Sequence, residues 1–343
     1  MQYLTFFALL FASLNSFATT MGSPPLAAGT TIELKQDFKP LLQNETADLW
    51  VPLPMELKGY QSVSSLTHTG NADKVKIENV GSVRMLHAQW SKTAAPEFHL
   101  VSVVKIRDHR ETTKENVNTS QFLAPTAHVQ TDGIVYTTAM QIVGQLTDPD
   151  QKAEAIYNWV VEKTLRDPKT RGCGLGDVKT TLTVDNLSGK CADINSVFVG
   201  LARAANIPAR EVFGIRVAPS NEFNSLGKLG EVSKAQHCRA EYYSKNKRAW
   251  VPVDPADVRK AILEEKLSLD DPKIAKLRHK FFGYWEGNWV ALNFGRDFLI
   301  PSKPEPIKIN YFMYPKLVSK SLAPDGMDPK EVAYTITSTI LTK

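Results

Sequence analysis

The stretch from Gly189 to Val217, GKCADINSVFVGLARAANIPAREVFGIRV, leaves the rest of the chain little freedom in how it is arranged. Ile194, Val197, Phe198, Leu201 and Ala205 recur at helical spacing and predict a helix that opens at Cys191, just behind a Gly-Lys turn. Asn206 tolerates the left-handed backbone of a helix C-terminus and Pro208 cannot continue a helix, so the helix ends there. Glu211 to Val217 then alternates as a strand that packs on the helix it follows. A thiol at a helix N-terminus meets free backbone N–H groups and the positive end of the helix dipole, which favour thiolate. A neighbouring imidazolium lowers such a pKa from about 8.5 to roughly 4 to 7. Cys191 is therefore a candidate nucleophile.

A second constellation lies in AQHCRAEYYSKNKRAWVPVDPAD. A two-residue turn at Lys245-Asn246 between strands His237 to Ser244 and Lys247 to Asp254 sets Tyr243 against Arg248, Glu241 against Trp250 and Arg239 against Pro252. His237 then falls opposite Asp254, with Cβ atoms about 4.5 to 5.5 Å apart on one face. Alternation sends Cys238 to the other face and disfavours it as the nucleophile. Taken singly, a cysteine at a helix start is a small apolar residue, and a His-Asp pair on a hairpin is a surface ion pair worth at most about 1 kcal/mol. The trio matches no zinc spacing and lacks a fourth ligand, and no D-x-D-x-D-G calcium loop is present, so neither a metal nor a cofactor is expected.

Gly189, Cys191, Asp193, Leu201, Arg203 and Ile207-Pro208-Ala209-Arg210, followed by a His near a strand start and an Asp within Trp-Val-Pro-Val-Asp-Pro, resemble the transglutaminase-like superfamily of papain-type cysteine enzymes. The resemblance runs from about Asp148 to Asp257, with Asn206 in place of a family glycine. It implies an α+β fold whose papain-like core packs the cysteine helix on an antiparallel sheet, with a β-rich N-terminal domain. It also implies that Cys191 is the nucleophile, His237 the general base and acid, and Asp254 the group that orients the imidazole. A thiol-dependent amide hydrolase, peptidase or amidase, working through a thioester acyl-enzyme on a peptide or protein substrate, follows. Acyl transfer from glutamine to an amine uses the same triad, and a catalytically silent binding module is the alternative from another class. The Cys191 backbone N–H supplies half of an oxyanion hole, the second donor being unassigned. Asp193 and Arg203 are expected to support the helix.

At 343 residues, with 43% hydrophobic and 22% charged composition, the chain has room for two or three packed layers or domains. Its net charge of +5 is spread along the sequence, which points to attraction toward anionic surfaces and away from nucleic acid. MQYLTFFALLFASLNSFATT reads as a signal peptide over 1–18, cleaved after Ala18, and implies a periplasmic or secreted protein without stable membrane insertion. In an oxidising compartment Cys173 could pair with Cys238, leaving Cys191 free.

Residues 30–125 are expected to form the β-rich domain, with strands Thr31 to Phe38, Asp48 to Pro52, Asp73 to Val80, Val83 to Trp90 and Phe98 to Arg107, and a linker over Glu111 to Thr126. His87, His99 and His109 share no metal spacing. The core over 130–270 holds a helix from Thr147 to Arg166, capped by Thr147 or Asp148, and a glycine-rich loop, Arg171 to Leu182, whose Gly174 and Asp177 are possible cleft residues. Trp159, Trp285 and Trp289 are candidate cleft aromatics for which core packing is the better expectation. Val258 to Lys280 is helical with a break at Asp271-Pro272, and Trp285 to Ile300, Ile307 to Pro315 and Val332 to Leu341 read as further strands of the catalytic sheet or as a C-terminal β extension over 271–343.

Overall fold

The structure, a computed structural model, describes residues 29–42, 44–93, 95–110, 118–184 and 187–341. The expected signal peptide and part of the expected linker lie outside them. Among the described residues no helix is long and apolar enough to cross a membrane.

Two antiparallel sheets pack on each other at the N-terminal end of the chain. The larger runs, edge to edge, Gly230–Glu231, Tyr334–Ile340, Thr30–Phe38, Phe98–Ile106 and Gln61–Gly70, and the smaller Lys316–Ser319, Glu45–Pro52, Val83–Thr93 and Lys74–Val80. Period-two alternation turns Ile32, Leu34 and Phe38 of one sheet toward Leu49, Leu86 and Trp90 of the other in one buried cluster. Gln61–Gly70 is absent from the sequence expectation because its Ser, Thr and His residues lie largely exposed on a sheet edge and carry no apolar alternation.

The strands beyond Trp285 are divided among the sheets. Trp289–Asn293 joins the central sheet, Arg296–Ile300 pairs with Ile307–Tyr311, and Lys316–Ser319 and Tyr334–Ile340 complete the sandwich begun by the first strands. Pairing between segments so far apart leaves no local trace in sequence.

The second layer is a four-stranded antiparallel sheet ordered Ala249–Val253, Gln236–Ser244, Ala209–Arg216 and Trp289–Asn293. The Cys191–Ala204 helix packs against it, enclosed by helices Ile134–Val143, Pro149–Lys163 and Pro255–Glu264. Every residue from Cys191 to Arg203 is buried, as befits a helix surrounded on all sides. It ends as its sequence dictates, with Asn206 at a φ of 64°. Asp148 caps Pro149–Lys163, accepting from Asp150 N and Gln151 N, and the Asp271-Pro272 break separates Pro255–Glu264 from Pro272–Lys280. The whole is the expected α+β arrangement, with the cysteine helix on an antiparallel sheet.

Candidate active site

Cys191 holds its place because the loop before it is latched to its helix. Lys190 N and Gly176 N donate to the two Asp193 carboxylate oxygens at 2.9 and 2.8 Å, and Ala192 N donates to Cys173 O at 2.9 Å. A Cβ at Gly189, or at Gly174 with its φ of 94°, would collide with that carboxylate, so the glycines serve close approach. Gly174 and Asp177 do not line the cleft. Gly172 and Cys173 do, while Asp177 caps Val178–Thr183 by accepting from Thr180 N at 2.8 Å.

The hairpin carrying His237 and Asp254 lies two residues out of the register that a Lys245-Asn246 turn predicts. Tyr243 pairs with Trp250 and Glu241 with Pro252, and the turn takes all four residues from Lys245 to Arg248, the last at a φ of 55°. In this longer turn Asn246 Nδ2 reaches Asp148 Oδ2 at 2.8 Å and Asp150 Oδ2 at 3.1 Å, at the cap of the neighbouring helix. A shift of two keeps every side chain on its face. Continued past Val253, the register sets Arg239 opposite Asp254 and leaves His237 as its diagonal neighbour, about 7 to 8 Å away between backbones but within reach of side chains. His237 Nε2 indeed lies 2.8 Å from Asp254 Oδ2, and Arg239 Nε lies 3.5 Å from the same oxygen. Asp254 also caps Pro255–Glu264, its Oδ1 accepting from Asp257 N at 3.1 Å.

Cys191, His237 and Asp254 are all buried, and His237 contacts each of the other two. Burial alone would push the Cys191 thiol up. Hydrogen bonds from Cys173, Cys238 and His237, together with the charge on the imidazole, outweigh it and hold the thiol well below the ordinary cysteine value. With Nε2 committed to Asp254, Nδ1 is the ring nitrogen left for the sulfur. Burial and the Arg216 charge would lower the His237 pKa, but Asp257 and Asp254 prevail and raise it. Burial, helped by Asp257, raises the Asp254 carboxyl against the pull of His237 and Arg239.

All three cysteines are free, so the Cys173 to Cys238 pairing that an oxidising compartment would permit is not made. Facing opposite to His237 does not take Cys238 away from Cys191, since both flanking thiols bond to its sulfur. Each is raised well above the ordinary value: Cys173 first by its hydrogen bond to Cys191, Cys238 first by burial. Cys173 Sγ also lies 3.2 Å from Gln236 O and accepts from Tyr314 Oη at 3.1 Å.

Three residues of this network, Asn195, Asp257 and Arg216, escape the sequence reading, and a fourth, Trp289, enters it only as an aromatic of cleft or core. Asn195, one turn beyond Cys191, donates from Nδ2 to Cys238 O at 2.8 Å and to Asp254 Oδ1 at 3.4 Å, tying helix to hairpin. Asp257, three residues beyond Asp254, lies 3.5 Å from His237 Nε2. Both offsets are helical neighbours that spacing could have found. Arg216 clamps both Asp257 oxygens, one at 3.1 Å and the other at 2.5 Å, and Trp289 Nε1 donates to His237 O at 2.9 Å. Trp285 and Trp289 pack with Tyr60 and not in the cleft.

His237, Asp254 and Asp257 place three potential metal ligands within 4.8 Å of one another. The position is already compensated, since Arg216 occupies both Asp257 oxygens and Arg239 approaches Asp254. A cation added there would meet two guanidinium groups. His237 faces instead a cleft of about 620 Å³ that Cys191 and Cys173 also line.

A sequence model of the transglutaminase-like superfamily matches residues 136–255, a span that contains Cys191, His237 and Asp254. The chain belongs to the transglutaminase-like superfamily. A Haemophilus influenzae protein described only as uncharacterised is 40% identical to this superfamily member over 313 residues, 84% of each chain. A candidate cysteine protease from Cytophaga hutchinsonii shares the fold, with a TM-score of 0.51 at 13% identity over 91% of this chain and 98% of that one. The periplasmic domain of TgpA from Pseudomonas aeruginosa aligns at 17% identity over 67% of this chain and 90% of that one, with a TM-score of 0.35 that is too low to argue from.

Proposed function

We propose that the protein is an exported thiol-dependent amide hydrolase, acting on a peptide or peptide-like substrate through Cys191, His237 and Asp254. The observation that carries this reading is the buried chain of contacts from the Cys191 thiol at a helix N-terminus, through His237, to Asp254 at 2.8 Å, opening on a cleft. Export rests on the apolar leader and its Ser16 and Ala18.

In this mechanism His237 Nδ1 takes the thiol proton and the sulfur attacks the amide carbonyl carbon. The resulting oxyanion meets the free Cys191 N–H at the helix start. Collapse breaks the C–N bond, and His237 returns the proton to the departing amine, leaving a thioester on Cys191. His237 then takes a proton from water as the water attacks the thioester, and the acid and the free thiol are released. Asp254 holds the ring through Nε2 and stabilises its charged form.

The test is the pH dependence of Cys191 alkylation in the wild type and in His237→Ala. The thiolate–imidazolium pair exists above the lowered thiol pKa and below the raised imidazole pKa, so wild-type labelling stays fast well under pH 8. In the variant its midpoint moves up toward about 8.5. An ordinary midpoint in the wild type, unmoved by the substitution, would sink the reading. Mass spectrometry of a peptide pool with added amine, against Cys191→Ala, separates hydrolysis from transfer.

A further inference from the structure

The cleft is far more basic than the chain. Seven of its lining side chains are lysine or arginine and two, Glu231 and Asp328, are carboxylates. Three of the cations, Arg166, Arg216 and Lys260, are largely buried, their side chains 13%, 5% and 16% exposed. Two carboxylates serve them. Asp257 is taken by Arg216, and Glu264 is shared, 3.4 Å from Arg166 Nε and 3.8 Å from Lys260 Nζ. Glu264 is itself 41% exposed, so its compensation is weakened by solvent.

Arg166 Nε is buried and has no hydrogen-bond acceptor among the described residues. A guanidinium is planar, permanently charged and suited to a bidentate carboxylate, and this one, with its Nε lacking a hydrogen bond and its Glu264 partner 3.4 Å away and partly exposed, has room for a further anion. Burial, then the nearby Arg216 charge, lowers Lys260 to about 8, a cost that an incoming anion would relieve. Lys190, immediately before the nucleophile, and the exposed Lys228 add charge beside these groups. The groups that lower the Cys191 thiol are Cys173, Cys238 and His237, and none of these basic residues is among them.

We propose that the cleft selects substrates carrying a carboxylate close to the amide that Cys191 attacks, with Arg166 and Lys260 as the residues that bind it. An acidic peptide is the class of substrate this fits. The inference rests on the catalytic reading above and adds its specificity. The groove also favours a chain over a small free anion, because a neighbouring cavity of about 840 Å³ shares Glu231 and Lys234 with the cleft. That second cavity carries Lys35, Lys39 and Lys330 against Asp37 and Glu231.

Iodoacetate and iodoacetamide test this, since they deliver the same alkylating carbon with and without a carboxylate. The ratio of their rates at Cys191, divided by the same ratio for free cysteine, reports attraction of the anion and needs no known substrate. The expected result is a preference for iodoacetate that falls with added salt. Arg166→Gln and Lys260→Gln should each cut it by roughly tenfold, the size of one charge-assisted hydrogen bond. A reactive thiol without preference overturns the specificity and leaves the catalytic reading standing. A preference that persists in both variants assigns it to the His237 charge and also overturns the proposal. A thiol inert to both reagents overturns the catalytic reading and this inference with it. Should one variant fail to fold, the other carries the test, and a wild-type thiol without preference overturns the proposal with neither; Lys228→Gln, an exposed change, is expected to lower the ratio in the same direction.

Discussion

Cys191 accepts from two thiols as well as from an imidazole, and that sets how its charge is shared. An S–H is a weak donor, but Cys173 and Cys238 are buried against the sulfur and keep their own protons, so their dipoles remain aimed at the thiolate. The Cys173 proton has a second acceptor in Gln236 O at 3.2 Å. Cys173→Ala should therefore raise the midpoint of Cys191 alkylation by about half to one pH unit, one modest hydrogen bond's worth. It should leave the alkaline limb, which belongs to His237, where it was. The check is intact-mass labelling across pH, and an unmoved midpoint would remove the flanking thiols from any part in activation. The same chemistry explains why the sequence misleads about Cys238. Alternation assigned its face correctly, but a thiol under the central helix can touch Cys191 from that face.

At the scale of elements, the site is where a strand end, a hairpin and a helix start are pinned together. Arg216 closes the Ala209–Arg216 strand and Asp257 opens the Pro255–Glu264 helix, both fully buried, and their bidentate pair welds the two. Arg216, His237 and the hydrogen bonds around it hold the Asp257 carboxyl below its ordinary range despite burial. Asp257→Asn strands a buried guanidinium and should cost roughly 3 to 5 kcal/mol in urea unfolding, far more than an exposed pair would. A folded pKa below the unfolded one means that the carboxylate contributes its stability above about pH 4 and loses it as pH falls toward the folded value, so the variant's deficit should shrink in acid. A loss under 1 kcal/mol at neutral pH would show the pair to be incidental. How much of this was legible follows from distance along the chain. The helix start at Cys191, its exit at Asn206 and the Asp148 cap are written in adjacent residues. The His237–Asp254 pairing survived a wrong turn length because the error was two and not one. Arg166 and Arg216 reach the cleft only through tertiary packing, and no spacing announces them.

For the whole molecule, sandwich and catalytic layer share one core. Residues from Ile32 and Leu86 through Val197 and Phe213 to Leu317 and Ile336 belong to a single buried cluster. The connection is also made by backbone. The Tyr334–Ile340 strand lies between Thr30–Phe38 and Gly230–Glu231, and Val232 N donates to Ile336 O at 2.8 Å while Ile336 N donates to Ser233 Oγ at 2.7 Å. The chain from Lys228 to Lys234, which walls the cleft, therefore hangs on a strand near the C-terminus that the sequence marks only as a run of β-formers. This coupling predicts one cooperative transition in place of two. Ile336 is 3% exposed, and Ile336→Ala should cost about 2 to 5 kcal/mol through lost burial and the cavity left behind. The loss should appear equally in both layers, with sandwich unfolding followed by circular dichroism and exposure of Cys238, fully buried and off the cleft, followed by alkylation sharing one lowered urea midpoint. Separate midpoints, with Cys238 protected after the sheets have melted, would mean that the catalytic layer stands alone and that the C-terminal strand merely covers it. Coincidence is the stronger expectation because the wall of the cleft and the edge of the sandwich are the same few residues.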